Sequence, residues 1–366
     1  MLSVKGVQGN RERMLWMDSL RGAAILAVIV YHAEGQVSVS QGLDVPVLSM
    51  VDQALDPFRM PILMFMSGML VPRSLRKGNR AYVGGKLRKI GWPYLVWSAA
   101  MLGLLAVTAP ITGNRIGLAD FLRIFYSPPT YHWYLAFLLV FYLAALVTPA
   151  AVRTAATVPL FLITAFLPTD DSQRFWFLAG CFLTGDVLAR HWSAVEPVIN
   201  RVWVQAVGLL LAIAAGIAAT RFELKYEILW LPSLLGAVFG LRPLLEKCKS
   251  TIVGRLLAVV GRQSLVYYVS HFMIIILGYH VAIRSGLQLD GLPLTVLLVV
   301  LALLGGVLLV WLRSRLLVNW LFEWPDRSKA RAPASNVTTR REDPVGRHGG
   351  HTLGDSPSVP SIHSSQ

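Results

Sequence analysis

Apolar runs recur from Met14 nearly to Trp320, and the gaps between them are too short to hold a separate soluble domain. Runs of about 20 apolar residues read as membrane helices. Of the 366 residues, 55% are hydrophobic and 15% charged, with a mean hydropathy of +0.56. The expected fold is therefore all-α: a polytopic integral membrane helical bundle of about ten transmembrane helices. Spans are expected near 14–33, 57–72, 90–110, 133–151, 155–169, 175–189, 202–220, 228–241, 263–283 and 292–312. The fifth and the eighth are short and contain proline, which leaves a spanning or a re-entrant path open for each.

Positive charge gives the orientation. With the N-terminus inside, the cytoplasmic pieces hold 26 of the 34 Lys and Arg residues. The outer pieces hold seven, Arg59, Arg115, Arg123, Arg174, Arg221, Lys225 and Arg284, and Arg21 lies inside the first helix. This asymmetry fits ten spans with both termini cytoplasmic. It also accounts for the net charge of +14 without a nucleic-acid partner, because the charge follows topology and not one stripe or motif. The basic N-terminus is followed by no convincing small-residue cleavage site, so the first helix is expected to stay attached. Residues 1–324 are expected to form the membrane domain. The Ser-, Pro- and Gly-rich segment 325–366 is expected to be a disordered cytoplasmic tail whose His348, His351 and His363 are too scattered to bind metal. Cys181 and Cys248 provide neither a disulfide framework nor metal-ligand spacing, and no metal site is expected.

The first span departs from apolarity in "DSLRGAAILAVIVYHAEG", Asp18 to Gly35. An ionised group at the centre of a membrane helix costs roughly 2.5–3.5 kcal/mol on insertion scales, so such groups usually have a task. At about 100° per residue, Arg21 and His32 share a helix face about 16 Å apart along the axis, with Asp18 some 60° away from Arg21 around it. The stripe must face the bundle interior. Asp18 and Arg21 read equally as a structural ion pair near the inner interface, and His32 as a satisfied core histidine.

These residues also carry a resemblance. Arg21 and His32, ten residues apart within "MDSLRGAAILAVIVYH", resemble the signature of the acyltransferase-3 family of integral membrane O-acyltransferases, which includes sugar O-acetylases. Further similarities follow in order. They are "FRMPILMFMSGML" with Pro61, Phe65, Ser67 and Gly68, the basic "KLRKIGWPYLVW", "HWYL" from His132, and "GRQSLVYYVSH" as Gly-x-x-Ser-x-x-x-Tyr-x-x-His. The similarity covers roughly residues 14 to 285 and departs from the family pattern at Ile62, Leu63 and Met64.

The resemblance implies transfer of an acetyl or other short acyl group to a hydroxyl of a carbohydrate or glycolipid acceptor. His32 would be the general base, beside a loop, Glu34 to Asp56, that offers Glu34, Asp44, Asp52 and Asp56 but no lysine or arginine. Acetyl-CoA, or another acyl-CoA, is the implied donor and needs a basic site open to the cytoplasm. Arg73–Lys89 holds seven cations and no acid, and the resemblance favours Arg73, Arg76 and Arg88 with Lys89 beside them. The same charge equally suits a cytoplasmic loop attracting anionic lipid. Arg21 and Asp18 would complete the catalytic stripe, and Arg59, Ser67, Trp133, Tyr267 and His271 would face substrate, with His271 reading equally as a packed core group. For Trp133 an interfacial aromatic belt is the simpler account, and Ser67 beside Gly68 reads more readily as a packing position than as a nucleophile. Glu223, Lys225 and Glu227 read as a solvated outer loop. The implied setting is the inner cell membrane, among lipids and envelope-biosynthesis partner proteins. A transporter or flippase with Asp18, Arg21 and His32 along its pathway is the alternative from another class, although no pair of similar halves is visible in the sequence.

Overall fold

The computed structural model describes residues 3–42, 45–112, 116–168, 171–222, 226–315 and 317–325; side chains are described from Leu15 onward, excluding 109–112 and 317. Asp44, Glu223, Lys225 and the expected tail from 326 lie outside the described residues. The described chain belongs to one compact unit, Met1–Pro325.

The described residues form helices and no strand. The principal helices are α1 (Ser3–Gln41), α2 (Pro46–Gly68), α3 (Asn79–Lys86), α4 (Trp92–Thr112), α5 (Trp133–Val147), α6 (Ala150–Thr164), α7 (Asp171–Arg190), α8 (Val202–Ala219), α9 (Leu231–Gly240), α10 (Ile252–Arg262), α11 (Ser264–Arg284) and α12 (Gly291–Arg315). Among the described residues eight helical runs are long and apolar enough to cross a membrane: 15–41, 46–75, 79–108, 118–147, 202–219, 228–248, 264–284 and 291–315. The protein is a multi-pass membrane helical bundle. The expected spans 155–169 and 175–189 fall on α6 and α7. At about 1.5 Å per residue α6 is only about 22 Å long, short of a 30 Å hydrocarbon core. Helix α7 is long enough but carries Asp171, Arg174, Asp186 and Arg190. The expected eighth span is a short helical turn followed by α9 and by the helix Arg242–Cys248.

Helix α1 is the hub, packed on α2, α10, α11 and α12. Its apolar stripe, from Trp16 and Leu20 through Ile29 and Ala33 to Val37, is buried along most of its length. That stripe explains one correction. The segment after His32, expected to be a loop, continues α1 to Gln41, and α2 starts at Pro46. Ala33 and Val37 prolong the buried face, Gln36 donates to Ser40 one turn on (2.7 Å), and proline at the first helical position is preset for a helix start.

Between α3 and α4 the helix widens into a π-helical turn, Leu87–Gly91. Pro93 has no N–H to give to the carbonyl of Lys89, which removes one regular α bond at this point. Helices α6 and α7 are joined by a buried ion pair. Arg153 Nε donates to Asp186 Oδ2 (2.8 Å), and Arg190 reaches the same oxygen at 3.1 Å. Such a pair holds together because Arg153 also donates to the carbonyls of Ala145 and Thr148, which leaves little of its charge unsolvated.

Helices α2 and α7 cross at glycines. A methyl group on Gly68 would overlap the Phe182 carbonyl oxygen, and one on Gly185 would overlap that of Phe65. Close approach without a side chain is the usual basis of helix association in lipid, so Gly68, and not its neighbour Ser67, is the packing position. Gly68→Ala and Gly185→Ala are each expected to lose about 1–3 kcal/mol to overpacking. Thermal melts in detergent should show both variants lowered, whereas Gly103→Ala, where a methyl meets no atom within 4 Å, should be unchanged or raised.

Candidate active site

His32 lies on α1 at the edge of a cavity of about 1050 Å³ whose walls come from α1, α2, α7, α11, the segment before α5 and the segment after α8. The His32 ring is half-buried, and it forms no hydrogen bond with any described residue. Asp52 and Asp56 line the same cavity, but neither orients the imidazole. Both pair with Arg59, which is buried from its place inside α2: Nη1 bonds Asp52 Oδ1 and Nη2 bonds Asp56 Oδ1 at 2.6 Å. The Arg59 guanidinium also covers the Tyr31 ring at 4.3 Å. Sequence places Arg59 among outer charges; its partners at i−7 and i−3 on the same helix are what permit its burial.

The neighbours of His32 are aromatic and histidyl. Ring centroids stand 5.1 Å from His271, 4.7 Å from Phe272 and 5.7 Å from Tyr131. Helix α11 and the segment before α5 are bonded reciprocally, for the Tyr131 hydroxyl donates to the Val269 carbonyl (2.6 Å) and the Tyr268 hydroxyl donates to the Tyr131 carbonyl. His132, fully buried, stacks on Tyr131 at 4.1 Å. Trp133 lines the cavity under the Arg174 guanidinium, 4.1 Å away, and Arg174 pairs with Asp171 (2.5 Å). Two non-glycine residues have positive φ among the described residues, Thr130 (52°) and Tyr226 (56°), and both line this cavity. Backbone strain of order 1–3 kcal/mol concentrated at one cavity is a usual mark of a working site. Burial pushes the Tyr226 phenol up to about 12, so its hydroxyl remains a neutral donor at physiological pH.

A row of buried polar groups leads away from this cavity through the bundle. Tyr268 packs on Tyr134 at 5.1 Å, the Tyr134 hydroxyl lies 3.5 Å from Ser67 Oγ, and the Tyr142 hydroxyl donates to the Ser67 carbonyl at 2.7 Å. Lys86 ends the row, its ammonium 3.2 Å from the centre of the Tyr142 ring. The Arg21 guanidinium is within electrostatic reach of both the Tyr134 and Tyr142 hydroxyls. Lys86 makes no ion pair with a described residue. In the sequence it looks no different from the other six cations of its stretch. The available signal was Tyr82 four residues earlier, since positions i and i+4 share a face and Tyr82 is buried against Tyr142.

The remaining expected residues are distributed as follows. Asp18 and Arg21 form no direct ion pair; Asp18 is within electrostatic reach of Arg21 and of Arg262 on α10. Arg73 and Arg76 are exposed, in and just after the short helix Val71–Leu75. Arg88 and Lys89 sit at the π-helical turn and approach Glu323 at 3.1 and 4.0 Å, with Arg313 at 3.7 Å. The acid absent from the basic stretch thus comes from the far end of the described chain. Ser67 donates to the Leu63 carbonyl (2.7 Å), as a helical serine commonly does. Tyr267 packs against Gly306 of α12, and it is Tyr268 that lines the cavity. A second groove of about 680 Å³, mostly apolar and bordered by Leu87, Trp92, Leu139 and Phe175, shares no residue with the His32 cavity.

The family described as "Acyltransferase domain", acyltransferase-3, matches residues 14–311, a range that holds every residue of this cavity and of the polar row. The chain belongs to the acyltransferase-3 family. No curated protein and no solved structure matches it. As a member of this family the protein is a membrane acyltransferase, and the cavity with His32 at its edge is its candidate active site.

Breaking the Arg59 cluster gives a test of its structural weight. Arg59→Met removes the guanidinium shared by two carboxylates and is expected to cost roughly 3 kcal/mol. Arg59→Met combined with Asp52→Asn should recover part of that loss in a double-mutant cycle of melting temperatures, the mark of a direct pair.

Proposed function

We propose that this acyltransferase moves an acetyl or other short acyl group from acyl-CoA to a hydroxyl of a carbohydrate or glycolipid, with His32 as general base. The observation that carries the proposal is the position of His32: at the wall of a large polar and aromatic cavity, with no described residue hydrogen-bonded to its ring nitrogens. A ring nitrogen of His32 takes the hydroxyl proton as the oxygen attacks the thioester carbonyl. Collapse of the tetrahedral oxyanion expels the CoA thiolate, and the imidazolium returns its proton to that sulfur, leaving ester and free thiol.

The acceptor enters from the cavity side, where Trp133 gives an apolar face to a sugar ring and Asp52, Asp56 and the Tyr226 hydroxyl give polar edges. The donor comes from the basic end. Arg73, Arg76, Arg88 and Lys89 attract its phosphates, and the row from Lys86 and Arg21 through Tyr142, Ser67 and Tyr134 supplies hydrogen-bonding partners for the pantetheine arm. The excess of positive charge at that end supports cytoplasmic termini. The reading sets the protein in the inner cell membrane, where it modifies envelope polysaccharide or its lipid-linked precursors.

The test is CoA release by purified protein in nanodiscs with acetyl-CoA and a panel of sugar acceptors. His32→Ala should lower acceptor-dependent release by about 10²- to 10⁴-fold with the protein still folded. Arg73→Ala combined with Arg76→Ala should raise KM for acetyl-CoA about tenfold with kcat nearly held, the pattern of lost uniform binding. Folded His32→Ala with wild-type turnover would refute the assignment of the base.

A further inference from the structure

His271 is fully buried on α11, and its two ring nitrogens have different surroundings. Nδ1 lies 2.7 Å from the Tyr268 carbonyl oxygen and 3.1 Å from that of Tyr267. A carbonyl only accepts, so the neutral ring carries its proton on Nδ1. Nε2 is then a bare lone pair. It is buried without a hydrogen-bond partner, a condition that costs about 1–3 kcal/mol when nothing fills it.

The groups around that lone pair narrow what can fill it. Phe272 has no donor. The Tyr131 and Tyr268 hydroxyls, whose rings lie 5.0 and 5.9 Å from His271, donate elsewhere, to the carbonyls of Val269 and Tyr131. His132, whose Nε2 is likewise buried without a partner, acts on His271 electrostatically but packs on Tyr131 and makes no ring contact with His271. Arg59 is held by Asp52 and Asp56. The unengaged donor in ring contact with His271 is the N–H of His32, whose ring centre is 5.1 Å away and whose nitrogens have no other described partner.

We propose that His271 is the positioning residue for His32, its Nε2 accepting the His32 N–H when substrate is bound. The inference rests on the reading of His32 as general base. A neutral imidazole has one N–H and one lone pair, so tying the N–H to His271 turns the lone pair toward the cavity and the acceptor hydroxyl. In many hydrolases a carboxylate performs this task. Here the carboxylates that line the cavity with His32 are engaged by Arg59 and Arg174, and a second histidine with a fixed tautomer takes their place. When His32 takes the hydroxyl proton, His271 keeps its own proton and accepts from the imidazolium; no proton passes to it.

The experiment pairs kinetics with a direct view of the ring. In nanodiscs, with acetyl-CoA and the sugar panel, His271→Leu should lose about 10²-fold in kcat with KM for acetyl-CoA unchanged. His271→Gln, whose amide oxygen can accept the same N–H, should stay within about tenfold of wild type. Solid-state NMR of protein labelled with ¹⁵N-histidine, with the His32 signal assigned by its disappearance in His32→Gln, should show one neutral tautomer in wild type and in His271→Gln, and a mixture in His271→Leu. Should wild type show no turnover with any acceptor, the enzymatic reading fails while the NMR comparison still decides the contact. An unchanged His32 signal and unchanged kcat in folded His271→Leu would overturn the proposal.

Discussion

In a bilayer core no water replaces a missing hydrogen bond, so each polar group that a helix carries inward must find a partner in protein or substrate. Most of this structure meets that demand. Arg153 of α6 bonds Asp186 Oδ2 of α7 and the carbonyls of Ala145 and Thr148, and Arg59 takes up Asp52 and Asp56 along its own helix. The hydroxyls of Tyr82, Tyr131, Tyr142 and Tyr268 each end on a carbonyl. Against that background the His32 and His271 rings stand side by side, and no described residue hydrogen-bonds the His32 nitrogens or Nε2 of His271. Other buried groups lack a partner as well, His132 Nε2 among them, but His32 and His271 are in ring contact, and His32 lines the cavity.

The same constraint explains the position of α1. A helix with Asp18, Arg21 and His32 on one stripe cannot face lipid with that stripe, so the other helices must surround it, and α2, α10, α11 and α12 do. Its contact with α10 is close enough that a methyl on Gly261 would overlap the Asp18 carbonyl oxygen, fixing the height of α1 in the bundle and with it the height of His32. Strain at Thr130 and Tyr226 and the reciprocal bonds between Tyr131 and α11 then set the opposite walls of the cavity.

Much of this was legible in the sequence, because periodicity and hydropathy are local properties. The helical membrane fold, the shared face of Arg21 and His32, and the polar character of α11 around His271 follow from spacing along one helix. What escaped depends on contacts between segments far apart in the chain. Nothing in Arg88 or Lys89 points to Glu323, nothing in Lys86 alone points to the Tyr142 ring, and chain order gives no distance between His32 and His271. The segment from Glu34 to Asp56 looks like a loop because its polar residues break the apolar pattern. It is mostly helical because Ala33 and Val37 extend the buried face and Pro46 starts the next helix. Tyr267 and Tyr268 differ by one position, about 100° of helix, and that step sends one to α12 and the other to the cavity.

The central claim is that donor and acceptor meet at His32 from opposite ends of the bundle. Proteoliposomes with the protein in one orientation test it most directly, with labelled acetyl-CoA confined to the side of Arg73–Lys89 and the sugar acceptors to the other. Labelled acceptor on the far side, absent in His32→Ala vesicles, is the result this account predicts. Product formed only when donor and acceptor share one compartment would contradict it.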